Sequence, residues 1–504
     1  MLGFDMKPVR VKILAARLSS KATSLKTRGN RRRDFLRTSL VALAVLVWGG
    51  AAQAAQESRS SGKTSTLLAG FAREKITPPL GTRMMGFAFR DYKEGCQTIH
   101  DDLYTRALFL KHGDERFLIL AYDLCFLGRE EADRFKGALG REFDLAPRQI
   151  LLNSSHNHAG CMVGTWYWAG VFPPDRSYLS QLTQATMTAA RKAHDSMREA
   201  KMSVEVGKTT LPMSRRKPDG KGDIAFAPNP DGQIYDRLPV MMLKDKADKP
   251  ICLMFSVSAH PSMVMGWDIS ADYPGVACRL LDEHLGTTAA MFLQGCGGDA
   301  NARPIGEGSD KWRRADWEIL EQAGRQVTDE VLRTLDKGLK PVKPNLRSAI
   351  TEMRLPLQKT PPRSEVEDVV NQTKPEARES NMRYQWATRQ IEKLNRGEQL
   401  PTDVGTTLQV LRVGDGVNLV GMEGEPVAGW GYLFEDFCGA GVIFPLGYCN
   451  GQGLYLPVTK MLPEGGYEVV SYWEYGLPAP LAPGLEKVVV ETLQRLAGQV
   501  GGLR

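Results

Sequence analysis

The sequence Gln149-Ile-Leu-Leu-Asn153-Ser-Ser-His156-Asn-His158-Ala-Gly160 joins a short apolar run to a polar loop that holds two histidines. A short apolar run bounded by polar residues is typical of a buried strand. Polar groups just beyond the carboxyl ends of strands are typical of ligand sites in open α/β sheets, because loops converge there on a rigid edge. The segment therefore predicts both a sheet and the position of a site on it.

Strand-length apolar runs alternate with amphipathic stretches of helix length along the chain. Besides residues 149–153, the predicted strands are Arg116–Tyr122, Ile251–Val257, Ala289–Gln294, Val417–Gly421 and Gly441–Phe444. The predicted helices are Tyr178–Met197, Gly275–Leu285, Trp312–Leu335, Glu376–Leu394 and Leu485–Leu496. This interleaving predicts an α/β (mixed α+β) fold, in which one large domain has a mostly internal mixed sheet flanked by helices.

Basic residues are concentrated at the start of the chain. The 504 residues carry a formal charge of +7, but residues 1–54 hold 11 Lys and Arg against two acids. The remaining 450 residues carry 54 basic and 56 acidic side chains, which is a net charge of −2. Because residues 55–504 have no surplus of basic side chains, their charge gives no support to nucleic-acid binding.

The basic start of the chain has the layout of an export signal. Arg31-Arg-Arg-Asp-Phe-Leu-Arg37 precedes an apolar stretch, Leu40 to Trp48, and a small-residue cleavage site, Ala52-Gln-Ala54. A spanning helix needs roughly 20 apolar residues, so this stretch is too short for a permanent anchor. The twin arginine resembles a Tat signal and predicts a periplasmic or secreted protein. The expected organisation is a Tat-type signal peptide over 1–54, a polar linker over 55–66 and a catalytic domain over 67–504.

The two histidines of the opening segment allow two geometries. In an extended segment, residues separated by one point to opposite faces, so one of His156 and His158 would bind a metal while the other faced the substrate. A twist in the loop would instead aim both rings at the same ion. Plain polar loop histidines are the alternative without a function.

Two further polar groups follow predicted strands. His260 lies in Ser258-Ala-His-Pro-Ser262, and Glu425 lies in Gly421-Met-Glu-Gly-Glu425-Pro426. Imidazole and carboxylate are both ligands that zinc takes in proteins. The carboxylate of Glu425 would complete a zinc site or act as a base. The alternatives without a function are a core histidine with satisfied hydrogen bonds and an acidic residue favoured by a helix N-terminus.

A glycine-rich turn, Gly295-Cys-Gly-Gly-Asp299-Ala-Asn301, follows the predicted strand Ala289–Gln294. Glycine lets the backbone approach a ligand closely. The carboxylate of Asp299 is therefore a candidate to orient a metal-bound histidine from outside the coordination sphere.

In their joint order and spacing, these motifs resemble the catalytic domain of the neutral (alkaline, non-lysosomal) ceramidases. The resemblance runs from about residue 67 to the end, and members typically continue into an immunoglobulin-like domain that this chain is expected to lack. Besides the segments above, the matching motifs are Ala69 to Gly81, Met84 to Phe87, Asp102 to Ala107, Tyr122-Asp123, Gly298 to Asn301, Asn450 to Tyr455, Gly466 to Glu468 and Ala482 to Gly484.

The resemblance implies a site for one zinc ion (Zn2+) per chain. The implied zinc ligands are His156, His260, Glu425 and Tyr455. The residues implied to act on the scissile amide are His158, Tyr467 and Arg215, the last in a motif where serine replaces the family's asparagine. Residues expected around the site, in turns or behind the ligands, are Asp299, Asn301 and Asp123. An apolar rim for a lipid chain, or simple packing, is expected of Trp166, Tyr167 and Trp168.

The reaction that the resemblance implies is zinc-dependent hydrolysis of an N-acyl amide bond. The substrate would be ceramide or a related N-acyl lipid, cleaved to a fatty acid and an amine by a zinc-activated water, with transient contact to a membrane or micelle surface. One alternative is a TIM-barrel metallo-amidohydrolase, although its further strand-end histidines are missing because His194 and His284 fall in predicted helices. Another is an exported metal- or lipid-binding protein without turnover.

Overall fold

The computed structural model describes residues 65–87, 90, 94–161, 163, 174–378, 381–451 and 453–503. The predicted signal peptide (1–54), most of the linker (55–66) and the three aromatic residues Trp166, Tyr167 and Trp168 lie outside the described residues. The described part of the chain belongs to one compact unit.

Twenty strands and nine helices are assigned within the described residues. The strands are β1 Leu68–Lys75, β2 Thr98–Ile99, β3 Tyr104–His112, β4 Glu115–Tyr122, β5 Ile150–Ser154, β6 Arg198–Lys208, β7 Pro212–Pro218, β8 Ile224–Asn229, β9 Arg237–Asp245, β10 Pro250–Val257, β11 Asp268–Ile269, β12 Ala290–Gln294, β13 Ala300–Ala302, β14 Lys340–Val342, β15 Pro344–Pro356, β16 Asp403–Gly414, β17 Val417–Met422, β18 Glu425–Pro426, β19 Val442–Leu446 and β20 Tyr455–Leu456. The helices are α1 Arg129–Phe143, α2 Arg176–Asp195, α3 Asp272–Leu285, α4 Trp317–Asp336, α5 Arg363–Gln372, α6 Met382–Asn395, α7 Ala428–Cys438, α8 Tyr467–Val470 and α9 Leu485–Val500.

Two sheets form the centre of the domain. The larger has nine strands, with β14 beside β6 and the others in the order β12-β10-β9-β6-β1-β3-β4-β5. The second has the order β15-β16-β17-β19. Parallel pairs (β4 with β5, β10 with β12, β17 with β19) occur among antiparallel ones, so both sheets are mixed.

Side-chain alternation along the strands explains the layering. In β4, Leu118 and Leu120 pack with helices α1 to α4 on one face, whereas Phe117 and Ile119 join a cluster between the two sheets. Leu411 of β16 contributes to that inner cluster from the second sheet. The outer face of the second sheet packs against α7 and α9. The layers are therefore helix, sheet, sheet and helix.

The predicted mixed α/β fold is confirmed, and each predicted helix and strand has an observed counterpart. The sequence did not indicate two facing sheets, because alternation is identical whether the second face is covered by helices or by another sheet. The described strands form open sheets rather than a closed barrel, which excludes the TIM-barrel alternative for this part of the chain. No helix among the described residues has the length and apolar composition needed to cross a bilayer.

Candidate metal centre and amide-binding site

The loop after β5 brings His156 and His158 together. His156 has a φ of +62°, a left-handed conformation that breaks the alternation of the preceding strand. As a result, both rings turn to the same side and their Nε2 atoms are 3.1 Å apart. The twisted-loop geometry is the one the structure adopts.

His260 follows β10 and is fully buried. Its Nε2 atom lies 3.3 Å from Glu425 Oε2 and 3.2 Å from Tyr455 Oη. His156 Nε2 lies 3.2 Å from the same carboxylate oxygen. The side chains of the four predicted ligands, drawn from four separate segments of the chain, therefore meet at one point.

Strand pairing explains how Glu425 and Tyr455 become neighbours. β18 and β20 form a short parallel pair in which Glu425 is directly opposite Tyr455. The turn at Gly298 supports β18, because its backbone N–H donates to Pro426 O. A Cβ at Gly298 would lie 2.5 Å from Glu425 O, so only glycine fits against this strand.

The donor set fits a divalent metal ion. His156 Nδ1 lies 2.9 Å from Cys125 O, and His260 Nδ1 lies 2.8 Å from Gly297 O. Because carbonyl oxygens only accept, both Nδ1 atoms must carry hydrogen, and in the neutral rings both Nε2 atoms present lone pairs to the centre. Two imidazole nitrogens, a carboxylate and a phenol oxygen suit zinc.

The pKa shifts show how strongly the cluster is coupled without a cation. Burial lowers the pKa of His156, but the charges and hydrogen bonds of Glu425 and Cys125 together outweigh it and raise the value to about 10. Burial and then the positive charge of Arg215 lower the pKa of His260 to about 4. One proton is thus held between His156 and Glu425, and a bound dication would displace it.

His158 differs from the ligands in its surroundings. Its Nδ1 atom is buried without a hydrogen-bond partner among the described residues. Burial, together with the positive charge of His156, lowers the pKa of His158 well below its usual range. The ring is therefore neutral at neutral pH and able to accept a proton.

Arg215 and Tyr467 lie next to the ligand cluster. The guanidinium of Arg215, on β7, is 5.2 Å from the ring of Tyr455 and 5.6 Å from the ring of Tyr467. Arg215 Nε donates to Glu468 at 2.8 Å, whereas its Nη2 is buried and has no acceptor among the described residues. Arginine thus offers a fixed, charged donor beside the predicted metal.

The expectations for Asp299 need correction. Its carboxylate accepts the backbone N–H of Ala428 at 2.8 Å and so caps the start of α7. The Nδ1 atom of His260 is held by backbone carbonyls and not by Asp299. The carboxylate at the N-terminus of α7 is therefore that of Asp299. Glu425, for which this helix-terminal position was the alternative, instead faces His156 and His260.

Asn301 and Asp123 have supporting positions. Asn301 Oδ1 is 3.5 Å from Arg215 Nη1, and its backbone pairs with that of His260. Asp123 turns away from the cluster and forms a buried ion pair with Arg106 at 2.7 Å. Only its carbonyl approaches the histidine loop, where it accepts from Asn157 Nδ2.

Comparison with known proteins gives matches in structure and none in sequence. No family model matches the chain, and no curated protein matches it. A structure of a ceramidase complexed with C2 aligns over 85% of this chain and 74% of its own, with 13% identity and a TM-score of 0.65. A neutral ceramidase from Pseudomonas aeruginosa aligns over 85% and 73%, with 14% identity and a TM-score of 0.65.

This chain has the neutral ceramidase fold. At 13–14% identity the likeness is one of fold, and the side chains of the site have to carry any conclusion about chemistry. The ceramidase fold agrees with the resemblance that the short sequence motifs indicated.

Three residues of the site were missed by the sequence reasoning. The ring of Tyr448 stacks on His156 with centroids 4.2 Å apart. Tyr475 donates to Glu425 Oε1 at 2.7 Å, and Glu474 Oε2 lies 2.9 Å from Tyr467 Oη. Tyr475 and Glu474 lie in Ser471-Tyr-Trp-Glu-Tyr475, a short 3₁₀ segment whose aromatic composition resembles ordinary packing.

Cys125 is a further neighbour of the cluster. Its Sγ is 3.7 Å from His156 Nδ1, the nitrogen on the opposite edge of the ring from Glu425. Cys125, His156 and His158 also have ligand atoms within 4.8 Å of one another, so they form a second candidate metal group on the Nδ1 side of the His156 ring. All eight cysteines are buried and unbridged.

Proposed function

We propose that the protein is a zinc-dependent amidohydrolase that cleaves the N-acyl amide bond of ceramide or a related N-acyl lipid. The observation that carries the proposal is the convergence of His156, His260 and Glu425, whose ligand atoms all lie within 4.8 Å of one another. Tyr455 completes the set beside His260. The ceramidases that share the fold support the substrate class.

An amide resists hydrolysis because its carbonyl is a poor electrophile and its amine a poor leaving group. A zinc ion held by the four ligands would supply Lewis-acid polarisation and activation of water near neutral pH. His158, neutral and beside His156, would accept a proton from the attacking water and return it to the departing amine. The products would be a fatty acid and an amine.

The developing oxyanion needs hydrogen-bond donors that are already in place. Arg215 and Tyr467 both lie beside the predicted ligand Tyr455. Glu468 accepts a hydrogen bond from the Arg215 guanidinium, and Asn301 Oδ1 lies 3.5 Å from it. Donors fixed in this way cost no reorganisation when the charge appears. We therefore assign Arg215 and Tyr467 to the stabilisation of the transition state.

An apolar rim beside Tyr467 suits a lipid chain. Phe226 of β8 is 46% exposed and packs edge-on against the Tyr467 ring at 5.5 Å. Val470, one turn after Tyr467 in α8, is 44% exposed. Apolar side chains exposed next to a polar site are typical of a ligand-binding surface.

The contribution of this rim can be measured with substrates of different chain length. Phe226→Ala should lower kcat/KM for a long-chain amide roughly 5–30-fold more than for an N-acetyl amide, because only the long chain loses apolar contact. Trp317→Ala is the control, since this exposed ring stacks on His100 instead. Equal losses on both substrates would show that Phe226 only supports Arg215 and Tyr467.

A glycine holds the position of His158. A Cβ at Gly86 would lie 2.6 Å from His158 Cγ, and the φ of Gly86 is +110°. Gly86→Ala should displace this ring without touching a zinc ligand, and should lower kcat by roughly 10²–10⁴, the usual contribution of acid–base catalysis.

The control for Gly86→Ala is Gly81→Ala. Gly81 also has a positive φ, +84°, but an added Cβ there meets nothing within 4 Å. Gly81→Ala should therefore retain activity and zinc. A fully active Gly86→Ala variant would contradict the role given to His158.

The proposed function is tested by a product assay. The purified protein, loaded with zinc, should release free fatty acid and sphingoid base from ceramide, as detected by mass spectrometry. N-acyl amino acids and other N-acyl lipids run in parallel would identify a related substrate. Zinc binding with no cleavage of any N-acyl amide would favour a binding protein instead.

A further inference from the structure

The carboxyl group of Glu474 is placed behind the hydroxyl of Tyr467. Its Oε2 atom lies 2.9 Å from Tyr467 Oη, within hydrogen-bond distance. The mechanism proposed above gives this carboxyl no role. Its position raises the question of which of the two groups donates the hydrogen.

The ring of Tyr467 has little freedom to move. It packs edge-on against Tyr455 at 5.4 Å and against Phe226 at 5.5 Å, and the Arg215 guanidinium lies 5.6 Å from it. With the ring fixed, the phenol oxygen has one position. What remains variable is the direction of its single hydrogen.

Proton counting gives two arrangements of this pair. An ionised Glu474 only accepts, so the phenol hydrogen is spent on the carboxylate and cannot reach a substrate. A Glu474 that carries its hydrogen on Oε2 donates to the phenol oxygen, and the phenol hydrogen is then free to point to the substrate carbonyl. Only the second arrangement makes Tyr467 a donor to an oxyanion.

We propose that Glu474, in its protonated form, is the positioning residue that directs the hydroxyl hydrogen of Tyr467 toward the substrate carbonyl. This inference rests on the proposed function, because it gives the residue a purpose in amide hydrolysis. The carboxyl itself does not contact the substrate. It acts through the tyrosine by fixing the direction of one hydrogen bond.

The electrostatic surroundings of Glu474 agree with this arrangement. Burial raises its pKa to about 7, the negative charge of Glu425 adds to the shift, and the Tyr467 hydrogen bond and Arg215 oppose it. The phenol of Tyr475 is also close enough to interact with this carboxyl. Because the pKa is raised, the protonated form persists up to neutral pH and is lost as the pH rises through about 7.

Glu474→Gln is the decisive variant, because the glutamine amide offers an N–H donor to the phenol oxygen at every pH and cannot ionise. The wild type should lose kcat as the pH rises through about 7, whereas Glu474→Gln should keep its acidic-limb kcat within a few-fold and lack that loss. Glu474→Ala should lower kcat by roughly 10-fold or more with zinc content unchanged. Superimposable pH profiles of wild type and Glu474→Gln would overturn the proposal.

A second readout does not depend on activity. The infrared difference between wild type and Glu474→Gln, both loaded with zinc, should show a carboxylic-acid C=O band at about pH 6 that disappears by about pH 9. A carboxylate signal throughout this range would overturn the inference even in an active enzyme. If no N-acyl amide is cleaved, the proposed function fails, and the infrared result still decides the protonation of Glu474.

Discussion

His260→Ala is expected to remove the bound zinc and the amidase activity together. His260 is fully buried, and its Nε2 atom is within 3.3 Å of both Glu425 Oε2 and Tyr455 Oη, so it has the most central position in the cluster. Alanine would leave a gap that no described neighbour fills with a ligand atom. Zinc per chain, measured by atomic absorption, should fall from about one to near zero.

The loss of activity in this variant should exceed the 10–100-fold that follows removal of a residue behind a ligand. His284→Ala is the matched control, because His284 lies exposed on α3 and outside the cluster. It should keep both zinc and rate. A His260→Ala protein that is folded, zinc-loaded and fully active would show that the ligand set is wrong.

Tyr467→Phe should lower kcat by roughly 10²–10³ while zinc content stays the same. The substitution keeps the ring that packs on Tyr455 and Phe226 and removes only the hydroxyl group. The predicted magnitude is the one typical of losing a single oxyanion donor. Because the interaction is made in the transition state, kcat and kcat/KM should fall together.

Tyr432→Phe is the control for that substitution. Its hydroxyl donates to Ile234 O, away from the ligand cluster, so its loss should leave kcat unchanged. The double variant Tyr467→Phe with Glu474→Gln should be no slower than Tyr467→Phe alone, because Glu474 acts through that hydroxyl. Full activity of Tyr467→Phe would contradict the assignment of this donor.

The parts of the site that the sequence predicted are those that follow buried strands. His156 and His260 each come directly after an apolar run, so strand topology alone places them at sheet edges that can meet. The geometry of the histidine loop was not predictable, because it depends on the left-handed φ of His156. Two open alternatives at the sequence level thus became one.

The sequence missed Tyr448, Glu474 and Tyr475 and misplaced Asp299 because their contacts depend on local backbone geometry. Asp299 was expected behind a histidine, but backbone carbonyls already hold the Nδ1 atom of His260. Tyr448 reaches His156 only because its own φ is +55°. Tyr475 and Glu474 depend on a 3₁₀ segment about twenty residues beyond the ligand tyrosine. None of these contacts leaves a periodic signal in the sequence.

The second sheet illustrates the same difficulty at the level of the fold. Val417–Gly421 and Gly441–Phe444 were predicted as buried strands, and they correspond to β17 and β19, the latter beginning one residue later. In the same sheet, β16 pairs with β17 and β15 pairs with β16. Both strands are long and mixed in composition, with exposed charged residues on β15 and half-buried ones on β16. Apolar alternation therefore found the strands but did not assign them to a separate sheet.

X-ray absorption at the zinc edge of the purified protein tests the central assignment most directly. Two imidazole nitrogens from His156 and His260, with oxygens from Glu425 and Tyr455, predict a shell of nitrogen and oxygen at about 2.0–2.2 Å and no sulfur. A zinc–sulfur distance of about 2.3 Å would instead place Cys125 on the metal. That result, or a protein that binds no zinc, would contradict the account.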